Sequence, residues 1–302
     1  HRRDPMIPTA LPSAHVEQQL EAALAEATRT DCPPKLAEAL HYAVFPGGAR
    51  VRPKLCLAVA AASGAEDLRL AARAAAAVEL LHCASLVHDD LPCFDDAALR
   101  RGRASLHRRF GEPMAVLVGD ALIVTAFRVM ADADAEHAWA LPALVRIVAD
   151  SVGASGGICA GQAWECESDV ELDAYHQAKT GALFAAATAA GAVAAGASAQ
   201  GWAEVGLRLG EAFQVADDLR DFAGVVAEIG KPAGQDAALG RPNAARELGL
   251  EGACQHLCAL IEATVDSLPQ CGGRPWLSEL IRHESRSFLP PRLAAEVARH
   301  AA

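Results

Sequence analysis

The chain has 302 residues, 52% of them apolar but only 5% aromatic, and a formal charge of −11. That length suits one large domain or two ordinary ones, and the acidic balance argues against nucleic acid, which demands a basic surface. The 9 cysteines are an odd number without a CxxC pair, which argues against a disulfide framework and for a reducing cytoplasm.

Pro5, Pro8 and Pro12 mark an extended arm over 1–12, and 1–5 read as a remnant ahead of Met6. Ser13 is a helix N-cap, and Leu20 and Leu24 carry a stripe that fades by Arg29. After a break at 31–34, helices are expected over 36–45, 53–62 and 68–88, the first closed by Pro46-Gly47-Gly48 and the last by Pro92. A polar, basic stretch covers 99–111. Helices follow over 113–130 and from Pro142 toward Gly153, where a glycine cluster marks a kink or a close backbone approach. Further helices are expected over 171–199, 202–222 and 244–266, with an irregular connection over 230–242.

Alanine has the strongest intrinsic helix propensity, and strand-forming runs are scarce. The reading is all-α, one domain over 1–302. Residues 181–203 carry no charge and are long enough to span a membrane. They are mostly alanine and glycine, broken by Thr188, Ser198 and Gln200, and so read as a buried core or interface helix of a soluble protein. Cys254 and Cys258 flank His256, but His256 points off the face that i and i+4 share, so no metal is assigned there.

Two aspartate clusters carry the chemistry. His88-Asp89-Asp90-Leu91-Pro92-Cys93-Phe94-Asp95-Asp96 and Asp217-Asp218-Leu219-Arg220-Asp221 each follow an apolar run. Acids at a helix C-terminus oppose the macrodipole, by about 0.3–1 kcal/mol each. Asp217, Asp218 and Asp221 share one helical face through their i,i+3 and i,i+4 spacing. Crowded carboxylates of this kind suit Mg²⁺, which bridges acids to substrate phosphates. Arg50, Arg52, Arg100, Arg101, Arg103, Lys179 and Lys231 supply cations at separate points, as two diphosphate groups would require.

These residues resemble the trans-polyprenyl diphosphate synthases, most closely the geranylgeranyl diphosphate synthases of carotenoid and chlorophyll pathways. Gly47-Gly48-Ala49-Arg50-Val51-Arg52-Pro53 is similar to that family's GGKRxRP element, and Asp89 to Asp95 to its DDxxxxD motif. Lys179-Thr180-Gly181, Phe213 to Asp218 and Gly230-Lys231-Pro232 complete the series in order.

The resemblance implies an antiparallel helical bundle around a deep cavity, usually a homodimer, acting on isopentenyl diphosphate and allylic diphosphates. It implies that Asp89, Asp90 and Asp95 on one wall and Asp217, Asp218 and Asp221 on the other hold Mg²⁺, as three ions with diphosphate bound. Arg100, Lys179 and Lys231 would contact the allylic diphosphate; Arg52, His82 and Arg101 the isopentenyl diphosphate. Thr180 and Gln214 would turn oxygen dipoles toward a carbocation. An aromatic residue five before the first aspartate stops growth at fifteen carbons in this family. Here that residue is Ala84, with Ser85 beside it, which implies a twenty-carbon product.

Ala49 replaces a family lysine, with Arg50, Arg52 or Lys54 near enough to compensate. Ala97 and Ala98 replace acids, and Arg241-Pro242-Asn243 replaces a lysine-threonine element. A farnesyl diphosphate synthase, a non-catalytic regulatory subunit and a terpene cyclase are the rival readings.

Overall fold

The alanines that make up much of 69–89 give a helix slim enough for neighbours to close in on several sides, and the rest of the chain is arranged around it. The computed structural model describes residues 13–169, 172–222, 244–287 and 289. In order the helices are α1 (Ser13–Ala27), α2 (Pro34–Val44), α3 (Val51–Ala62), α4 (Arg69–Asp89), α5 (Leu106–Phe110), α6 (Glu112–Ala131), α7 (Leu141–Val152), α8 (Ile158–Trp164) and α9 (Leu172–His176). Then come α10 (Ala182–Ala194), α11 (Trp202–Phe222), α12 (Ala244–Asp266, interrupted at Gly249) and α13 (Arg274–Ser287). Two-residue strands, β1 (Leu99–Arg100) and β2 (Arg103–Ala104), pair antiparallel within the basic stretch.

α4 packs against α6, α3 and α10, and α10 in turn against α11, α3 and α7. Every residue of α10 but Ala185 is buried, as a core helix should be. Small residues allow these close crossings. A Cβ on Gly206 would lie 2.4 Å from Phe184 O and from Ala185 Cα, so α11 crosses α10 at backbone distance.

One buried charge cluster ties the N-terminal helices together. Arg50 opens α3 in a left-handed conformation (φ 53). Its guanidinium donates to Glu79 Oε1 at 2.6 Å on α4, to Glu17 Oε1 at 2.7 Å on α1, and to Val44 O at 2.8 Å at the end of α2. Burial works against its charge, but Glu17 and Glu79 outweigh burial and hold its pKa above the ordinary value.

The expected helix over 171–199 is corrected. It divides into α9, a wide π-helical turn (Gln177–Gly181) and α10, which stops at Ala194 because Gly196 takes φ 74. The glycine cluster separates α7 from α8, and a Cβ on Gly157 would meet Asp150 O at 2.5 Å, so the backbones do come close there. α5, α8, α13 and the β1–β2 hairpin lie outside the expected elements. The connection over 230–242, with Lys231, lies outside the described residues, as does the arm over 1–12.

By length and composition α4 and α6 are both apolar enough to cross a membrane. Most of α4 is enclosed by the fold, whereas α6 keeps an apolar outer face with Val116, Leu117 and Val124 exposed.

Candidate active site

Asp89 is the last residue of α4, and the chain turns back on itself immediately after it. The Asp95 N–H donates to Asp89 O at 3.0 Å, which closes the turn and returns Asp95 beside Asp89. α8 brings two further groups to the same place. Gln162 Nε2 donates to Asp89 Oδ1 at 2.7 Å, and the Glu165 carboxylate completes a set with Asp89 and Asp95 whose oxygens all lie within 4.8 Å of one another. Three carboxylates and no softer donor fit a hard divalent cation such as Mg²⁺.

Lys179 faces this acid group. Its Nζ lies 3.3 Å from Asp89 Oδ1 and hydrogen-bonds Glu165 Oε1, which also accepts from the Tyr175 hydroxyl at 2.7 Å. Burial raises the Asp89 carboxyl, but Lys179, the Gln162 hydrogen bond and Arg100 overcome it, leaving the pKa below the usual aspartate value. Burial likewise lowers that of Lys179, and Asp89 with its other neighbours more than restores it, so the ammonium keeps its charge.

Lys179 and Thr180 lie in the π turn, a feature frequent at functional sites. One residue on from Lys179, Thr180 Oγ1 donates to Gln214 Oε1 at 3.2 Å, and Gln214 Nε2 donates to Asp218 Oδ1 at 3.0 Å. That relay joins the Lys179 turn to the second aspartate cluster. α8 seats against the turn only because residue 161 is glycine: a Cβ there would lie 2.7 Å from Lys179 N.

Not every expected metal ligand is in the acid group. Asp90 is buried and turned to Arg100, which binds it through two nitrogens. In α11, Asp218 is buried and Asp217 accepts from Arg220 at 2.6 Å. Asp221 lies in α11, but its side chain is outside the described residues.

The cations form a second region. A pocket beside α4 is lined by Gly47, Cys83, Asp90, Arg100, Arg101 and Arg103. Arg101 is left-handed (φ 53) and lies over Gly48, where a Cβ would come within 3.1 Å of the guanidinium. Arg52 is buried with its guanidinium 4.5 Å from the Phe184 ring centroid, and its Nε has no hydrogen-bond partner. Burial lowers its pKa to about 10.

Burial, together with Arg52, Arg101, Arg100 and Arg50, pushes His82 well below the usual histidine value. His82 thus lies among the positive charges of Arg52, Arg101, Arg100 and Arg50. Arg50 is not available to compensate for Ala49, because Glu17, Glu79 and Val44 consume it.

Below Asp89 on α4, Ala84 is enclosed in the core, whereas Ser85 is half-buried and donates to His82 O at 2.8 Å. Ser85 shares the Asp89 face through its i,i+4 spacing.

A family model described as Polyprenyl synthetase matches residues 33–265. The chain is 52% identical over 285 residues to a geranylgeranyl diphosphate synthase of Cereibacter sphaeroides, covering 93% of this chain and 99% of that one. It belongs to the polyprenyl synthetase family. A geranylgeranyl diphosphate synthase of Rhodobacter capsulatus is 48% identical over 281 residues, covering 93% of this chain and 97% of that one. Among solved structures, a Helicobacter pylori geranyltransferase complexed with magnesium and isoprenyl diphosphate matches with TM-score 0.73 and 30% identity, covering 90% of this chain and 96% of that one.

For this synthetase, sequence reasoning missed Gln162, Glu165 and Tyr175. Gln162 and Glu165 are three apart and share a helical face. That signal was hidden because the short α8 sits between a glycine cluster and an acidic run.

Proposed function

We propose that this synthetase makes geranylgeranyl diphosphate by Mg²⁺-dependent head-to-tail addition of isopentenyl diphosphate to dimethylallyl, geranyl and farnesyl diphosphates. The observation that carries the chemistry is the gathering of Asp89, Asp95 and Glu165 within 4.8 Å at the mouth of α4, faced by Lys179. The relatives, named for the twenty-carbon product, support its length.

Asp89 and Asp95 would hold Mg²⁺ from one wall and Asp217, Asp218 and Asp221 from the other, with three ions when diphosphate is bound. When bound, Mg²⁺ supplies positive charge that stabilises the departing diphosphate. Lys179, Arg100 and Lys231 take the remaining diphosphate charge. The allylic C–O bond breaks with its electron pair leaving on diphosphate, and the carbocation faces the Thr180 and Gln214 oxygens. Arg52, His82 and Arg101 hold isopentenyl diphosphate so that its double bond attacks that carbon. The proton then lost goes to the released diphosphate.

The apolar outer face of α6 fits a homodimer, since a second copy would cover Val116, Leu117 and Val124. Nine free thiols fit a cytoplasmic setting.

Ala84 and Ser85 are the small residues at the position that would wall a growing chain below Asp89. Ala84→Tyr is expected to move most product from twenty to fifteen carbons, read by chromatography of the dephosphorylated alcohols. Because Ala84 is enclosed, overpacking costs about 1–3 kcal/mol; Ser85→Phe, on the half-buried neighbour, is the parallel test. A twenty-carbon product from both stable variants would refute the wall.

A further inference from the structure

Lys179 stands between two carboxylates of the acid group. Its ammonium bridges Asp89 Oδ1, at 3.3 Å, and Glu165 Oε1, two of the three carboxylates that close within 4.8 Å of one another. Both oxygens have a second donor: Gln162 at 2.7 Å on Asp89 and the Tyr175 hydroxyl at 2.7 Å on Glu165. The acid frame is therefore held from outside Lys179, and removing the ammonium leaves the oxygens in place. An ammonium is a compact, strongly hydrated charge on a flexible stem, which suits it to stand in for an ion and then leave.

We propose that Lys179 is a displaceable stand-in for the divalent cation, held between Asp89 and Glu165 until a diphosphate draws it away, and that Glu165 then serves as a third carboxylate for the ion. This rests on the reading of the acid group as a Mg²⁺ site. An ion and the ammonium compete for the same two oxygens, so an ion arriving alone must evict Lys179. A diphosphate gives the lysine a new anion, which removes that competition. Ion and diphosphate therefore bind cooperatively, and the linkage is reciprocal.

The test uses the full chain and Mn²⁺ as probe, with free Mn²⁺ followed by electron paramagnetic resonance and no diphosphate present. Lys179→Met is expected to bind Mn²⁺ about tenfold more tightly than wild type, within the range usual for coupled sites. Lys179→Gln keeps a hydrogen-bond donor without the charge and should do the same, which guards against a folding defect in the first variant. Adding Glu165→Gln to either should abolish the gain. Inorganic diphosphate should tighten Mn²⁺ binding to wild type far more than to Lys179→Met.

Unchanged or weaker Mn²⁺ binding in both single variants overturns the proposal, as does a gain that survives Glu165→Gln. Wild-type turnover is measured separately. An active wild type with unchanged Mn²⁺ affinity in the variants sinks this proposal alone, whereas an inactive wild type with the expected Mn²⁺ pattern sinks the proposed function alone.

Discussion

Asp89→Asn is expected to lower kcat by about 10³-fold, the upper end of what removing one preorganised electrostatic group costs, with thermal unfolding little changed. Asp89 is the hub of the acid group. It accepts from Gln162 at 2.7 Å, lies 3.3 Å from Lys179 Nζ, and shares the cluster with Asp95 and Glu165. An amide of the same shape keeps the packing but removes the charge that would hold Mg²⁺ against the leaving diphosphate. Steady-state turnover at saturating Mg²⁺ and substrates, beside a circular-dichroism melt, checks it. Turnover within a few-fold of wild type would remove the first aspartate cluster from the chemistry.

The second large effect is on stability. Arg50→Ala is expected to cost about 3–5 kcal/mol, because it strands a carboxylate in the interior, and to lower Tm by roughly 10 °C. The side chains of Arg50 and Glu79 are each only 3% exposed and meet at 2.6 Å, so Glu79 loses its partner where water cannot replace it. Arg50 also joins α1, the end of α2 and the start of α3, so the loss is shared by four helices. Replacing Arg50 and Glu79 together by methionine should recover most of the stability, since a buried ion pair is often no better than an apolar pair of similar volume. Differential scanning calorimetry decides it. A fall in Tm of only a degree or two for Arg50→Ala would contradict the role assigned to this cluster.

The all-α class and most helix boundaries were legible because alanine-rich, strand-poor sequence leaves few alternatives. Pro92 and Gly47-Gly48 punctuate it where the structure does. What failed to show were features set by tertiary contact. The π turn at Gln177–Gly181 packs against α8 at Gly161, a long-range contact that nothing in residues 171–199 taken alone announces.

The site was half legible. Asp89 and Asp95 come together, as the family resemblance implied, and Thr180 meets Gln214. Asp90, one residue past the end of α4, is turned to Arg100 instead. Arg50, expected within reach of a substrate, is consumed by Glu17 and Glu79, a contact invisible without the packing of α1 on α4. Glu165 caps α8, a helix too short for periodicity to reveal.

The most direct test is one product assay. Purified wild-type protein is incubated with Mg²⁺, labelled isopentenyl diphosphate and farnesyl diphosphate, and the products are sized with and without a chelator. The expected result is a single twenty-carbon allylic diphosphate that disappears when Mg²⁺ is removed. No elongation from farnesyl, geranyl or dimethylallyl diphosphate, or a cyclic hydrocarbon in place of a longer diphosphate, would contradict it.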